Sequence, residues 1–128
     1  MQLKMISLAG VMVLALAGTA SAQEQVVLIG SVAPTTGSDS HMGKDNENGT
    51  RLAVEEINAK GLTIGGKKIK LQLMAEDDAA DPRQATNAAT KLVDAHVSAV
   101  IGHLNSGTTI PASRIYANAG IPQLSPSA

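Results

Sequence analysis

The sequence contains no cysteine, no tryptophan and no phenylalanine, and a single tyrosine among 128 residues. Without thiols there is no disulfide, no thiolate nucleophile, no cysteine-held metal and no cysteine to carry a lipid after an export signal. Nucleic-acid binding is not expected either. Aromatic rings for stacking on bases are almost absent, and a formal net charge of -1 leaves no basic stripe for a phosphate backbone. The core is expected to be nearly all aliphatic, built from Val, Ile, Leu, Ala and Met.

The first 22 residues have the three-part pattern of a secretory signal. They carry one cation, Lys4, an apolar run from Met5 to Ala17, and the small-residue ending Ala20-Ser21-Ala22. The run falls short of the roughly 18–20 apolar residues a spanning helix needs, so cleavage after Ala22 is expected and no membrane insertion thereafter. Losing Lys4 takes the formal charge from -1 to -2. Residues 23–128 are large enough for one core.

Val26 to Val32 is a β-branched, continuously apolar run, the mark of a strand buried on both faces of a parallel sheet. A Thr/Ser/Gly loop from Ala33 to Gly43 follows. The spacing then predicts a helix over residues 44–60, with Leu52, Ala53 and Ile57 on its inner side, a Glu56–Lys60 pair, and Gly61 as its stop. Leu62-Thr63-Ile64, a turn at Gly65-Gly66 and the alternating residues 68–73 predict a hairpin arm leading into the next strand. Asp81-Pro82-Arg83-Gln84 is a helix start, with a capping carboxylate, proline at the first helical position and Gln84 placed for a capping box. Ala85, Ala88, Ala89, Leu92, Val93 and His96 make one face of that helix.

Residues 97–101 read as another strand, 108–118 as a helix with Ala112, Ile115, Tyr116 and Ala119 inside, and 121–125 as a further strand. The alternation predicts an α/β domain with a parallel sheet and helical crossovers. Ligands bind such sheets beyond the carboxyl ends of the strands. There, Ile101 to Thr109 runs from strand through a polar loop into a helix, whose free N–H groups and dipole favour an anion. Ser106, Thr108 and Thr109 offer hydroxyls at that point, and Gly107 lets a ligand approach the backbone. Ser106 or Thr108 acting only as a helix cap is an equally open reading.

Other constellations carry less. Gly37 to Asp45 resembles a phosphate-binding loop, but its glycines stand one residue too far apart and Asp45 replaces the metal-holding Ser or Thr. No dinucleotide fingerprint follows the first strand, so no cofactor is expected. Glu76-Asp77-Asp78 and Asp81 form an acidic cluster without calcium-loop spacing, Asp81 being accounted for as a cap. His41, His96 and His103 are scattered, so no metal site is assigned and each is read as structural. Ser106 lacks a nucleophile-elbow context. An enzyme using the acidic loop as acid or base is the competing reading.

Taken together, several stretches resemble the periplasmic leucine/isoleucine/valine-binding proteins, the solute receptors of branched-chain amino acid ABC importers. They are Val27-Leu28-Ile29-Gly30 with Gly37 and Gly43, Asn48-Gly49 followed by Ala53 to Gly61, Glu76-Asp77-Asp78 with Asp81-Pro82 and Ala85, Val100-Ile101-Gly102, and Ser125-Pro126-Ser127-Ala128. The resemblance runs in order along residues 23–128. It implies a two-lobed type I periplasmic binding protein that closes on an amino acid and delivers it to a permease in the inner membrane.

By that resemblance Ser106 offers its hydroxyl to the ligand α-carboxylate. The carbonyl of Ser127 faces the α-ammonium, and further contacts follow at and just beyond Ala128. Met42 stands where the family has an aromatic beside the ligand side chain, and an adaptable methionine wall still suits an aliphatic ligand. The family's disulfide positions fall at Ala80 and Asn105, so that staple is missing. The chain is expected to be the incomplete amino-terminal lobe of such a protein, residues 23–128, binding weakly or not at all alone. A sensor of the same fold for amides or other small solutes is the nearer alternative.

Overall fold

The computed structural model describes residues 23–128; the expected signal segment lies outside them. In chain order the elements are β1 (Gln25–Ala33), α1 (Ser40–Lys60), β2 (Leu62–Ile64), β3 (Lys67–Asp77), α2 (Pro82–Asp94), β4 (Ala99–Gly102), α3 (Ser106–Ala119) and β5 (Gln123–Leu124). The sheet order is β2-β3-β1-β4-β5. The apolar run of β1 takes the centre, parallel to both β3 and β4, and β5 continues parallel beyond β4. Only the short arm β2 is antiparallel, pairing Leu62 with Ile69 across the Gly65-Gly66 turn.

Neighbouring residues of β4 show how the layers are arranged. Val100 belongs to the core cluster with Val32, Ala88, Ala89, Leu92, Val97, Ala112 and Tyr116. Ile101, pointing the other way, lies beside Gly49, Thr50 and Ala53 of α1. Thus α2 and α3 cover one face, and α1 covers the other. Gly30 is registered between Met74 and Val100 and makes room for α2, since a Cβ there would come within 2.9 Å of Leu92 Cδ1.

The sequence-based rotation of α1 is corrected. Its buried residues are Gly43, Thr50 and Val54, while Leu52 is 57% exposed and Ile57 39%; Ala53 is exposed as well. Two contacts decide this. Gly43 lies so close to the Pro34 carbonyl that a Cβ would sit 2.0 Å from its oxygen, and the Asn58 side chain bonds both the N–H and the C=O of Leu71 at 2.8 Å. The helix also starts four residues early, at Ser40. The ion pair that forms on it is Glu47–Arg51 at 2.6 Å, about two and a half turns nearer the helix start than the expected Glu56–Lys60.

The start of α2 has the expected cap but not the expected capping box, because the Asp81 N–H donates to the Asp78 carbonyl at 2.7 Å and not to Gln84. Asp81 accepts from the N–H groups of Arg83 and Gln84 at 2.8 and 2.9 Å, and Ala85, Ala88, Ala89 and Leu92 are buried. His96 is not on its inner face. The helix stops at Asp94, and His96 adopts a left-handed conformation (φ 57°) in the exposed turn that redirects the chain toward β4. That turn also delays β4 to Ala99. On α3, Thr108, Ala112 and Tyr116 are buried, whereas Ala119 in the last turn is exposed. Among the described residues no helix is long and apolar enough to cross a membrane.

Candidate functional site

Of the three helix N-termini only that of α2 is capped by a side chain; those of α1 and α3 are not. At α2 the Asp81 carboxylate already occupies the first-turn N–H groups. At α3 the cap is Asn105, whose side chain bonds no N–H of the helix. Thr108 and Thr109 donate their N–H groups to the Asn105 carbonyl, which leaves those of Ser106 and Gly107 open. Neither hydroxyl considered as a cap is one: Ser106 is the first helical residue, and the Thr108 hydroxyl donates back to the Asn105 carbonyl at 2.9 Å. The side chain of Asn105 instead donates at 3.1 Å to Asp39, the cap of α1. The starts of α1 and α3 are thereby tied together beyond the carboxyl ends of β1 and β4.

A shallow depression of about 340 Å³ opens there, lined by Met42, Leu104, Asn105, Ser106 and Ser127. Three residues singled out from the sequence, Met42, Ser106 and Ser127, therefore meet although they come from α1, α3 and the segment after β5. Gly107 is exposed on the first turn of α3, with nothing within 4 Å of where a Cβ would be. Ala128 lies beside the depression and donates its N–H to Ser125 Oγ at 3.0 Å. A larger hollow of about 500 Å³ exists at the opposite end of β1, among Gln23, Glu24, Gln25, Gly66 and Lys67. No helix N-terminus is among its lining residues.

Beneath the depression runs a buried polar chain that the sequence reading did not assemble. His103 Nδ1 lies 2.7 Å from Asp78 Oδ2, and its Nε2 lies 3.1 Å from the Tyr116 hydroxyl. All three side chains are 0% exposed. Acidic Asp78 and isolated His103 were both visible as residues, but 25 positions separate them. Burial and the negative charges of Asp78 and Glu76 raise the Tyr116 pKa above its ordinary value, so its hydroxyl keeps its proton.

The acidic loop is occupied by structural work. Glu76 pairs with Lys91 at 3.1 Å. Asp77 accepts from the Thr35 N–H (2.9 Å), the Thr36 hydroxyl (2.6 Å) and the Ala79 N–H (2.8 Å), and Asp78 is held by His103. Burial pushes the Asp77 pKa up, but the hydrogen bonds from Thr36, Ala79 and Thr35 outweigh it and hold the carboxyl below the ordinary value.

A strand-end depression beside an uncapped helix N-terminus is where open α/β sheets bind ligands. A family model described as "Periplasmic binding protein" matches residues 26–128, and the chain belongs to that family. It is 43% identical over 112 residues to the Leu/Ile/Val-binding protein homolog 2 of Brucella abortus, covering 88% of this chain and 29% of that one. It is 41% identical over 122 residues to the Leu/Ile/Val-binding protein of Escherichia coli, covering 94% of this chain and 32% of that one.

Among solved structures, the substrate binding protein LivJ of a branched-chain amino acid transporter from Streptococcus pneumoniae, in complex with isoleucine, superposes with a TM-score of 0.74. The identity is 36%, over 81% of this chain and 29% of that one. The fold is accordingly part of a lobe of the type I periplasmic binding protein. The chain spans about 29–32% of the length of these relatives.

Proposed function

We propose that this chain supplies the carboxylate-binding half of the solute receptor of an ABC importer for a branched-chain or related amino acid. It acts in the periplasm after removal of residues 1–22, with an inner-membrane permease as partner. The observation that carries the reading is the open N-terminus of α3. Ser106, whose N–H is left open together with that of Gly107, lines a depression whose other walls are Met42, Leu104, Asn105 and Ser127. An α-carboxylate needs such donors in a fixed array, and the helix dipole adds to them.

The α-ammonium falls to the Ser127 carbonyl and to contacts at Ala128, and Met42 forms an apolar wall for the side chain. The reading is a binding protein and not an enzyme: each carboxylate of the acidic loop already has a partner, and Asp78 and His103 are sealed from solvent. Residues 23–128 form one incomplete lobe in this reading, so affinity depends on an opposing lobe closing over the site. Calorimetry tests this. The chain alone is expected to bind leucine no tighter than millimolar, and grafting residues 23–128 into a full-length Leu/Ile/Val-binding relative is expected to restore tight binding. In that graft Ser106→Ala should weaken binding by about tenfold or more; an unchanged affinity refutes the assignment.

A further inference from the structure

His103 cannot touch a ligand, because its side chain is fully enclosed. Its main chain nevertheless lies at the point where the separate parts of the depression are joined. The His103 carbonyl accepts the Thr109 hydroxyl at 3.0 Å, from the first turn of α3, and the Ser125 hydroxyl at 2.7 Å, from the segment after β5. Ser125 Oγ in turn accepts the N–H of Ala128 at 3.0 Å and, more weakly, that of Ser127 at 3.4 Å. The Ser127 hydroxyl reaches back to the carbonyl of Leu104, the next residue after His103. One peptide therefore sets the position of α3 relative to Ser127 and Ala128.

What holds that peptide is the imidazole. Asp78 anchors it from the β3 loop and is itself fixed, its Oδ1 accepting the Ala80 N–H at 3.0 Å and its carbonyl the Asp81 N–H at 2.7 Å. Tyr116 anchors it from the third turn of α3. A carboxylate only accepts, so Nδ1 is the nitrogen that donates to Asp78, while the Tyr116 hydroxyl, able to donate or accept, pairs with Nε2.

We propose that His103 is the positioning residue of the amino-acid site: held between Asp78 and Tyr116, it keeps the open N–H groups of Ser106 and Gly107 in register with Ser127 and Ala128. The inference rests on the functional reading above for what the site binds, but its geometric content stands apart from that reading. Loss of one imidazole contact lets the ring and its carbonyl turn, and both walls of the depression move together.

The test uses the full chain labelled with 15N and three variants, His103→Gln, Tyr116→Phe and Ser125→Ala. In the parent, the imidazole nitrogen shifts should report a proton on Nδ1, the nitrogen that faces Asp78. Tyr116→Phe, which keeps the packed ring and removes one bond, should move the Nε2 signal and also shift the amides of Ser106, Gly107, Ser127 and Ala128 while the protein stays folded. Ser125→Ala should speed exchange of the Ala128 amide by about tenfold, the loss of one net hydrogen bond, and leave the ring nitrogens and the Ser106 amide unmoved. His103→Gln, if folded, should disturb both walls.

A Tyr116→Phe variant whose ring signal moves while all four amides stay in place overturns the proposal, whatever His103→Gln does. Leucine added to millimolar concentration reads the other question. Amide shifts at Ser106 and Gly107 that appear in the parent and are lost in Tyr116→Phe support both readings. No leucine-dependent shift in the parent counts against the functional reading alone, because the ligand-free amide shifts still decide the role of His103.

Discussion

Asp78 and His103 follow strands that do not touch, β3 and β4, and their 2.7 Å contact passes over the carboxyl end of the central strand β1. Asp78 also donates its N–H to the Ala33 carbonyl at that strand's last residue. The pair thus closes the sheet at the end where the depression opens. It joins the same two loops that hold Ala80 and Asn105, the positions at which the family resemblance would place a disulfide. A polar contact serves here where no thiol exists.

Breaking that contact from one side leaves a buried group without its partner. Asp78→Ala is expected to cost about 3–5 kcal/mol, read as a fall in the urea midpoint with an unchanged slope. A loss under about 1 kcal/mol would mean that water fills the gap at little cost.

Asp77 makes stability depend on acid. Its folded pKa lies below the ordinary 3.8, so the folded state holds this proton less tightly than the unfolded chain does. Its contribution is complete above 3.8 and disappears as the pH falls through the lower folded value. Asp77→Asn should be less stable than the parent by about 1–2 kcal/mol at neutral pH. The two should converge as the pH falls through the lower folded value; urea midpoints that stay separated in strong acid contradict the assignment.

Tyr116 sets the alkaline limit. Its folded pKa is raised above 10.0, by burial first and then by Asp78 and Glu76, so the folded state holds the proton more tightly. Stability from this source is complete below 10.0 and is lost as the pH rises from there through the folded value. Because it is the only tyrosine, phenolate absorbance reports it alone. The absorbance should rise together with the loss of helical circular dichroism, not ahead of it.

Two glycines of α1 should respond with opposite signs. Gly43→Ala drives a Cβ into the Pro34 carbonyl and is expected to destabilise by about 2–3 kcal/mol. Gly49→Ala meets nothing within 4 Å and should stabilise by about 0.5–1 kcal/mol. Thermal melts of the two variants check both; a neutral Gly43→Ala would mean that the helix can back away from β1.

The local code accounts for much of this molecule. The unbroken apolar run of β1, the alternation of residues 68–73, the Gly65-Gly66 turn and the Asp81-Pro82 start each act over a few residues, and the structure has them where the pattern places them. The errors fall where a distant partner decides. Leu52 and Ile57 make a credible inner face until the contacts of Gly43 with Pro34 and of Asn58 with Leu71 rotate α1. His96 continues the spacing of α2 until the chain has to turn toward β4.

The open strand-to-helix loop at Ile101 to Thr109 was legible because a helix start is a local event, set by the backbone groups it leaves free. By itself the sequence determined the order of strands and helices, the aliphatic core and the polar, glycine-containing start of α3. Only the tertiary structure decided that this start stays uncapped, that Met42, Ser106 and Ser127 share one depression, and that Asp78, His103 and Tyr116 form one buried chain beneath it. Periodicity and capping are properties of neighbours along the chain. Hydrogen bonds between residues 25 and 13 positions apart exist only once the sheet has brought its strand ends together.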